Sequence, residues 1–378
     1  MLDEAQAIPV DLLEPCLAAL DELVRNYGCT IVLCTATQPA VIQREGFAIG
    51  LQNACEIIDK PQQLFERMKR VTVKTIGKIT LNTLTDRLAK HQQVLAIVDT
   101  RKRAADLYQS LRHVGDVYHL SAAMCPAHRS VCLDKIKERL KTSEDGRASG
   151  GCRVVSTQLI EAGVDIDFPV VYRSLAGLDS IAQAAGRCNR EGKQAMGEVF
   201  VFEPENGIND IPKGSMRQAA QCTQEVIPDH PDDLLNLTAI KQYFELHYWK
   251  KSDQWDKHNV MKCFCDINKV LFDYKTAAQR FTFIPQTQKS VVVSYGKVGD
   301  DLISQLQHQK PNRDLYRKIQ RYTVQIPVWH WDALVQSGDI EMLKDNDQLA
   351  VLSNSSRYDE TLGLCLGELQ VMGESSVI

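Results

Sequence analysis

The chain has 378 residues, with 44 Lys plus Arg against 48 Asp plus Glu and a formal net charge of −4. Its 44% hydrophobic and 24% charged residues exclude a disordered or collagen-like chain, and the length suggests two or three domains. No apolar run approaches the ~18–20 residues of a membrane span and no basic-then-apolar leader opens the sequence, so a cytoplasmic location without a membrane partner is expected.

The 12 cysteines never form a C-x-x-C pair; Cys263 and Cys265 come nearest. Scattered in this way they read as buried thiols in a reducing compartment, against a zinc or disulfide framework. Charge is uneven along the chain. Residues 60–103 hold 11 basic side chains and three acids, Glu66, Asp86 and Asp99, whereas 205–236 hold six acids against Lys213 and Arg217. A basic stretch on a mildly acidic protein suits a phosphate-backbone groove, and suits a solvated helix face equally well.

In chain order, Leu12, Leu13, Leu17, Leu20 and Val24 fall at helical spacing, and Gly28 stops that helix. Residues 29–34 are too few for a helix and predict a buried strand, ending in Thr35-Ala36-Thr37 and broken by Pro39. From residue 71 strands are expected at 71–75, 94–98, 117–120, 153–156, 170–172 and 198–202. Helices are expected between them near 81–91, 101–113, 128–141 and 179–187. Continuous apolar strands alternating with helices predict an α/β fold with a parallel sheet covered on both faces, and ligands gather at the carboxyl ends of such strands. Residues 142–151 form a polar, glycine-rich loop, and the acidic stretch 204–236, with four prolines, marks a domain boundary. Beyond it, helical patterns lie near 237–249 and 300–320 and strand-like runs at 290–295 and 322–326.

Three pieces carry chemistry. Asp3-Glu4-Ala5-Gln6 at a strand end is a paired acid, of which one carboxylate can hold magnesium and the other orient or deprotonate water; alone, it also reads as a helix cap. Gln183-Ala184-Ala185-Gly186-Arg187-Cys188-Asn189-Arg190 has the form Q-x-x-G-R-x-x-R, and arginines three apart on a helix share a face suited to phosphate. Residues 155–166 run from a strand through the hydroxyls of Ser156 and Thr157 to Gly163-Val164-Asp165, where small hydroxyls and a permissive glycine allow close approach of phosphate, as an ordinary strand-to-helix turn also would.

In this order the pieces resemble superfamily-two helicases of the DExD/H-box kind. Asp3-Glu4-Ala5-Gln6 is similar to motif II, Thr35-Ala36-Thr37 to motif III, and Asp99-Thr100-Arg101 to motif IV. Residues 156–166 are similar to motif V and 183–190 to motif VI. The run His119-Leu120-Ser121-Ala122-Ala123-Met124-Cys125-Pro126-Ala127-His128-Arg129, and residues 172–181 leading into 183–192, resemble more narrowly the CRISPR-associated helicase-nuclease of type I systems. Residues 281–284, 291–296 and 357–360 fit its C-terminal domain loosely, so the similarity spans nearly the whole chain.

The resemblance implies a RecA-like second helicase lobe over 71–205. A C-terminal remnant of the first lobe precedes it over 1–70, an irregular linker and helical region follows over 206–285, and an accessory domain occupies 286–378. It implies ATP and Mg as cofactors: Asp3 coordinating the metal, Glu4 activating water, Gln6 sensing the nucleotide, and Thr35 and Thr37 coupling hydrolysis to lobe movement. Arg190 becomes the arginine finger with Arg187 beside it, and Gly163, Asp165, Gln183 and Gly186 belong to the ATP site. Thr100, Arg101, Ser121, His128, Arg129 and Thr157 become the contacts to single-stranded DNA. The implied activity is ATP-driven translocation on that strand in CRISPR interference, with an RNA-guided surveillance complex as partner. A general superfamily-two DNA or RNA helicase and a non-catalytic DNA-binding or docking module are the alternatives.

Two family features are not in the sequence. No G-x-x-x-x-G-K-[ST] phosphate cradle occurs, and none of the nine histidines precedes an aspartate, so the His-Asp nuclease has no counterpart here. The expectation is therefore a truncated or split product that hydrolyses ATP poorly alone, with the missing N-terminal part as a conceivable separate chain.

Overall fold

A computed structural model of the protein describes residues 1–35, 37, 41–141, 150–264, 272–284, 286–308, 312–343 and 346–366. Ala36 and Pro39, most of the 142–151 loop, Cys265 and the middle of the expected 300–320 helix lie outside the described residues. The chain packs as two compact units: Met1–Lys69 with Gly177–Ala182 and Gln221–Pro285, and Arg70–Ala176 with Gln183–Ala220 and Gln286–Ile378.

In the first unit, β1 (Leu2–Asp3) and β2 (Leu33–Cys34) pair in parallel, with Leu2 opposite Leu33 and Asp3 opposite Cys34. The strand expected over 29–34 pairs only at Leu33 and Cys34, and it is half-buried, not buried. The helix Leu13–Tyr27 connects the strands, burying Leu13 and Leu17, and ends where Gly28 takes the left-handed conformation at φ 64° and donates its N–H to Leu23 O. Later in the chain the helix Leu237–Trp249 starts on Asn236, whose side chain accepts the Ala239 N–H at 2.8 Å. Leu12, Val260, Cys263 and Ala277 form a small core in this unit.

The second unit holds a six-stranded, wholly parallel sheet. Its strands are β3 (Val71–Lys78), β4 (Gln93–Ile97), β5 (Val117–Leu120), β6 (Cys152–Ser156), β7 (Val170–Ser174) and β8 (Gly197–Glu203), in the order β3-β8-β7-β4-β6-β5. The central strand β4 is buried from Val94 to Ile97, as its unbroken apolar sequence requires in a sheet covered on both faces. The helices Leu81–Ala89 and Arg101–Leu111 cover one face through Leu84, Leu88, Ala104, Leu107 and Leu111 against Val94, Ala96 and Tyr172. Thr80 and Thr100 cap these helices by accepting the N–H three residues on. The six strands expected from sequence all form, each with its core in place.

A second sheet belongs to the same unit. It is built from β9 (Gln288–Val292), β10 (Thr323–Pro327), β11 (Ile340–Leu343) and β12 (Asn346–Leu352) in the order β10-β9-β12-β11, with β13 (Tyr358–Asp359) and β14 (Gly363–Leu364) pairing nearby in sequence. Val291, Val293, Ile326, Trp331 and Leu352 form its core, and that core takes in Cys125 and Ala127 from the start of the helix Pro126–Leu140. The single helix expected over 300–320 is two, Gly296–His308 and Arg313–Ile319, because Asn312 caps a fresh start by accepting the Leu315 N–H at 2.8 Å.

Candidate functional site

The acids sit on a turn that the short parallel pair positions. β1 ends at Asp3, whose Oδ1 accepts the Glu4 N–H at 3.1 Å, and Glu4 takes a left-handed backbone (φ 52°, ψ 48°) that turns the chain out of the strand. Gln6 then bridges the two strand ends. Its amide nitrogen donates to the Glu4 carboxylate, and its amide oxygen accepts from the Thr35 hydroxyl. Thr35 Oγ1 also lies 2.6 Å from Thr37 O and accepts the Thr37 N–H at 3.1 Å. Asp3, Glu4, Gln6, Thr35 and Thr37 are thus one hydrogen-bonded group. Asp3 and Glu4 are exposed and Thr37 is buried. One or two hard carboxylate oxygens at an open strand end are the donor set that magnesium accepts beside substrate phosphates. No cluster of three or more His, Cys, Asp or Glu positioned for a metal occurs among the described residues.

In the second unit the turn after β6 and the turn after the helix Leu178–Ala185 are locked together. Gln183 lies in the last turn of that helix, which ends at Ala185, so Gly186, Arg187 and Arg190 stand beyond it. The expectation that both arginines share a helical face is corrected here. Residues 186–190 leave the helix because Asn189 donates its N–H to Phe168 O at 2.9 Å, Cys188 bridges Phe168, and Asn189 adopts a positive φ of 47°. The two arginines consequently differ. Arg187 turns inward and donates Nη1 to Val164 O at 2.5 Å and Nη2 to Glu161 O at 2.7 Å, and burial, then Arg190, lower its pKa from the ordinary arginine value. Arg190 is exposed, its Nη1 3.1 Å from the exposed Asp165 carboxylate, while its backbone N–H is held by Asp167 at 2.7 Å. Gly163 sits in this turn at φ 68°, a conformation that strains any side chain.

The six expected strand contacts separate. Arg101 and Arg129 line one cleft of about 460 Å³ whose other wall is Gln288, Ser290, Tyr316 and Gln325. Thr100 is a helix cap and Thr157 a nearly buried residue at the end of β6. Ser121 and His128 lie inside the protein. The Ser121 hydroxyl accepts the Ala123 N–H at 3.2 Å and lies 3.1 Å from His119 Nε2. His128 stacks on Tyr295 with ring centroids 4.4 Å apart, and its Nδ1 is 3.0 Å from the Tyr358 hydroxyl. Both are filled with protein partners, so direct contact with a nucleic acid is closed to them in this structure.

Sequence reasoning missed the residue that joins these turns. Arg173, fully buried on β7, reaches Asp99 Oδ1 at 3.2 Å and Glu161 Oε1 at 2.7 Å. Asp99 also accepts the Ser174 hydroxyl at 2.6 Å and pairs with Arg103, which continues to Asp210 at 3.0 Å. The signal was present: an arginine inside the apolar run Val170-Val171-Tyr172-Arg173-Ser174 requires buried carboxylates, and acids following β4 and β6 are the ones a parallel sheet brings near.

A wholly parallel sheet in this strand order, with an arginine turn and a glycine–aspartate turn beside it, has the architecture of a RecA-like lobe. Residues 90–193 match the family model described as CRISPR-associated nuclease/helicase Cas3, C-terminal. The CRISPR-associated nuclease/helicase Cas3 of Methanothermobacter thermautotrophicus is 21% identical over 374 residues, covering 87% of this chain and 44% of that protein. A stretch of 51 residues, 13% of this chain and 5% of the relative, is 65% identical to the protein of the same name from Haloferax volcanii. In structure, T. fusca Cas3-ADP superposes with a TM-score of 0.60 at 14% identity over 97% of this chain and 53% of that one, a likeness of fold. Together these matches make residues 90–193 similar to the C-terminal part of Cas3 nuclease/helicases, and the wider likeness is one of fold. The chain spans about half the length of the relatives it matches. Among the described residues no helix is long and apolar enough to cross a membrane.

Proposed function

We propose that this chain contributes the second RecA-like lobe and C-terminal part of an ATP-dependent translocase that moves on single-stranded DNA in CRISPR interference. The observation that supports this reading most is the paired turn of the second unit. Arg187 is committed to main-chain carbonyls, so the turn is rigid, and Arg190 is held at the surface by an exchangeable pair with Asp165. That is the division of labour of a positioning arginine and an arginine that meets phosphate. ATP, when bound, supplies the phosphoryl group whose transfer drives movement, with magnesium to offset its charge. Asp3 would hold that metal, Glu4 would take up the proton of the attacking water, and Gln6 would link their state to Thr35. Arg101 and Arg129 would bind the phosphates of the strand, and an RNA-guided surveillance complex is the proposed partner.

The 378 residues hold no glycine-rich cradle with its lysine, which favours a second reading in which the chain alone binds DNA without turnover. One set of measurements on the purified chain decides. Salt-dependent binding to oligothymidine with little ATP hydrolysis is expected. Failure to bind any single strand at low salt would sink the translocase reading, and turnover like that of an intact helicase would sink the second.

A further inference from the structure

The first unit carries a cleft that the motor chemistry does not use. It is about 440 Å³ and lies between the turn at residues 44–47 and the helix Leu237–Trp249. Its floor is aromatic: Phe47, almost fully buried, stacks on Tyr248 at 5.7 Å and meets the edge of Trp255 at 5.1 Å, and Trp255 donates its indole N–H to Tyr248 O at 3.0 Å. One wall is Trp249, a large aromatic left 64% exposed. Its ring lies against Gly46, where an added Cβ would come within 3.2 Å of the indole and the φ of 76° already disfavours a side chain. The tight turn Arg44-Glu45-Gly46-Phe47, closed by Phe47 N–H to Arg44 O at 2.9 Å, therefore packs against the indole, most of whose surface stays open to solvent.

The rim of this cleft is acidic. Glu45 projects from the tip of the turn, and Glu245 lines the opposite side. The cation at hand, Arg44, is already engaged, with its guanidinium 3.4 Å from Glu245 and over the Phe47 ring at 4.8 Å. An open indole face beside carboxylates attracts a cation through the ring quadrupole and through charge. Arg44 and Glu245 offset each other, which leaves the Glu45 carboxylate to set the sign of the rim, so charge speaks against a nucleic acid here.

We infer that this cleft is a docking site for a basic side chain, arginine or lysine, presented by a protein partner, with Trp249 as the aromatic platform and Glu45 as the counter-charge. None of these residues belongs to the acid turn or the arginine turn, so the inference stands or falls apart from the translocase reading.

The test uses the full chain and a dye-labelled peptide of alternating arginine and glycine, with its glutamate–glycine counterpart and oligothymidine as comparisons, read by fluorescence anisotropy. The arginine peptide should bind and the glutamate peptide should not. Trp249→Ala should weaken the arginine peptide about tenfold and Glu45→Gln by a smaller factor, about threefold. Because Trp249 and Glu45 are both exposed, neither substitution should shift the melting transition, which is measured alongside. Absence of peptide binding, or binding that neither substitution alters, overturns the inference. Loss of oligothymidine binding in Trp249→Ala with peptide binding intact would make the cleft a base-stacking platform instead, and overturns it too.

Discussion

Arg173 Nε lies 2.7 Å from Glu161 Oε1, with both side chains sealed from solvent, and through Asp99 the same guanidinium ties the end of β4 to the turn after β6. The surface turns of the second unit thus rest on charges at its centre. A buried pair contributes little against an apolar replacement of both partners, but removing one partner strands the other.

Arg173→Met should therefore destabilise the second unit by about 3–5 kcal/mol, because Asp99 and Glu161 lose their shared cation inside the protein. Lys74→Ala, which breaks the exposed pair with Glu198 at 2.9 Å, should change stability by less than about 0.5 kcal/mol. Urea unfolding of both variants measures the contrast; equal effects would mean that the buried network is not what holds the turns.

The two motif arginines should separate in the same way. Arg187→Ala leaves the carbonyls of Val164 and Glu161 without their donors and should cost about 2 kcal/mol. Arg190→Ala removes only an exposed ion pair and should stay within about 0.5 kcal/mol. Thermal unfolding reads this. A large loss of stability at Arg190 would show that it is a structural residue and remove it as the phosphate contact.

Burial pushes the His119 pKa down to about 4, with His128 as the second cause. The folded state therefore resists a proton that the unfolded chain, near 6.5, accepts. The sign follows: stability is full above pH 6.5 and is lost as pH falls from there toward 4, by on the order of 3 kcal/mol from this one group. His247 in the first unit, also lowered to about 4 by burial, adds a loss of the same sign. Denaturation midpoints between pH 7 and 4 should fall steadily. His119→Gln should flatten that slope, and an unchanged slope would place the acid sensitivity elsewhere.

Nucleic-acid binding should depend on Arg129 and not on His128. Arg129 is half-buried at the edge of the 460 Å³ cleft, without an ion pair among the described residues, whereas His128 is closed in by Tyr295 and Tyr358. Arg129→Ala should weaken oligothymidine binding and reduce the salt slope by about one. His128→Asn should lower stability and leave the slope unchanged. Filter binding across a salt series tests both.

The parallel sheet was legible from sequence because most of its strands are short, largely apolar runs that alternate with helices, β4 most plainly. The motif residues were legible as types, but not their geometry. Spacing placed Arg187 and Arg190 on one helical face, whereas the pairing of Cys188 with Phe168, a tertiary contact 20 residues distant, pulls that segment off the helix. Ser121 and His128 looked like surface ligands for a related reason. His128 is buried by Tyr358 and Tyr295, more than 150 residues away, and no local periodicity carries that information. Arg173 showed in the sequence as a charge inside an apolar run, but its partners, Asp99 and Glu161, meet it only once three strands are side by side.

The edge strand β3 is synthesised early, yet its hydrogen-bonding neighbour β8 begins at Gly197. On a ribosome adding ~5–20 residues per second, residues 71–78 wait on the order of ten seconds before the ribbon they belong to can form. For that interval they are a free template for any passing strand, and Lys74 and Lys78 are the kind of side chains that discourage such encounters. Part of the positive charge concentrated in residues 60–103 would then serve the nascent chain, guarding it until its own partner emerges.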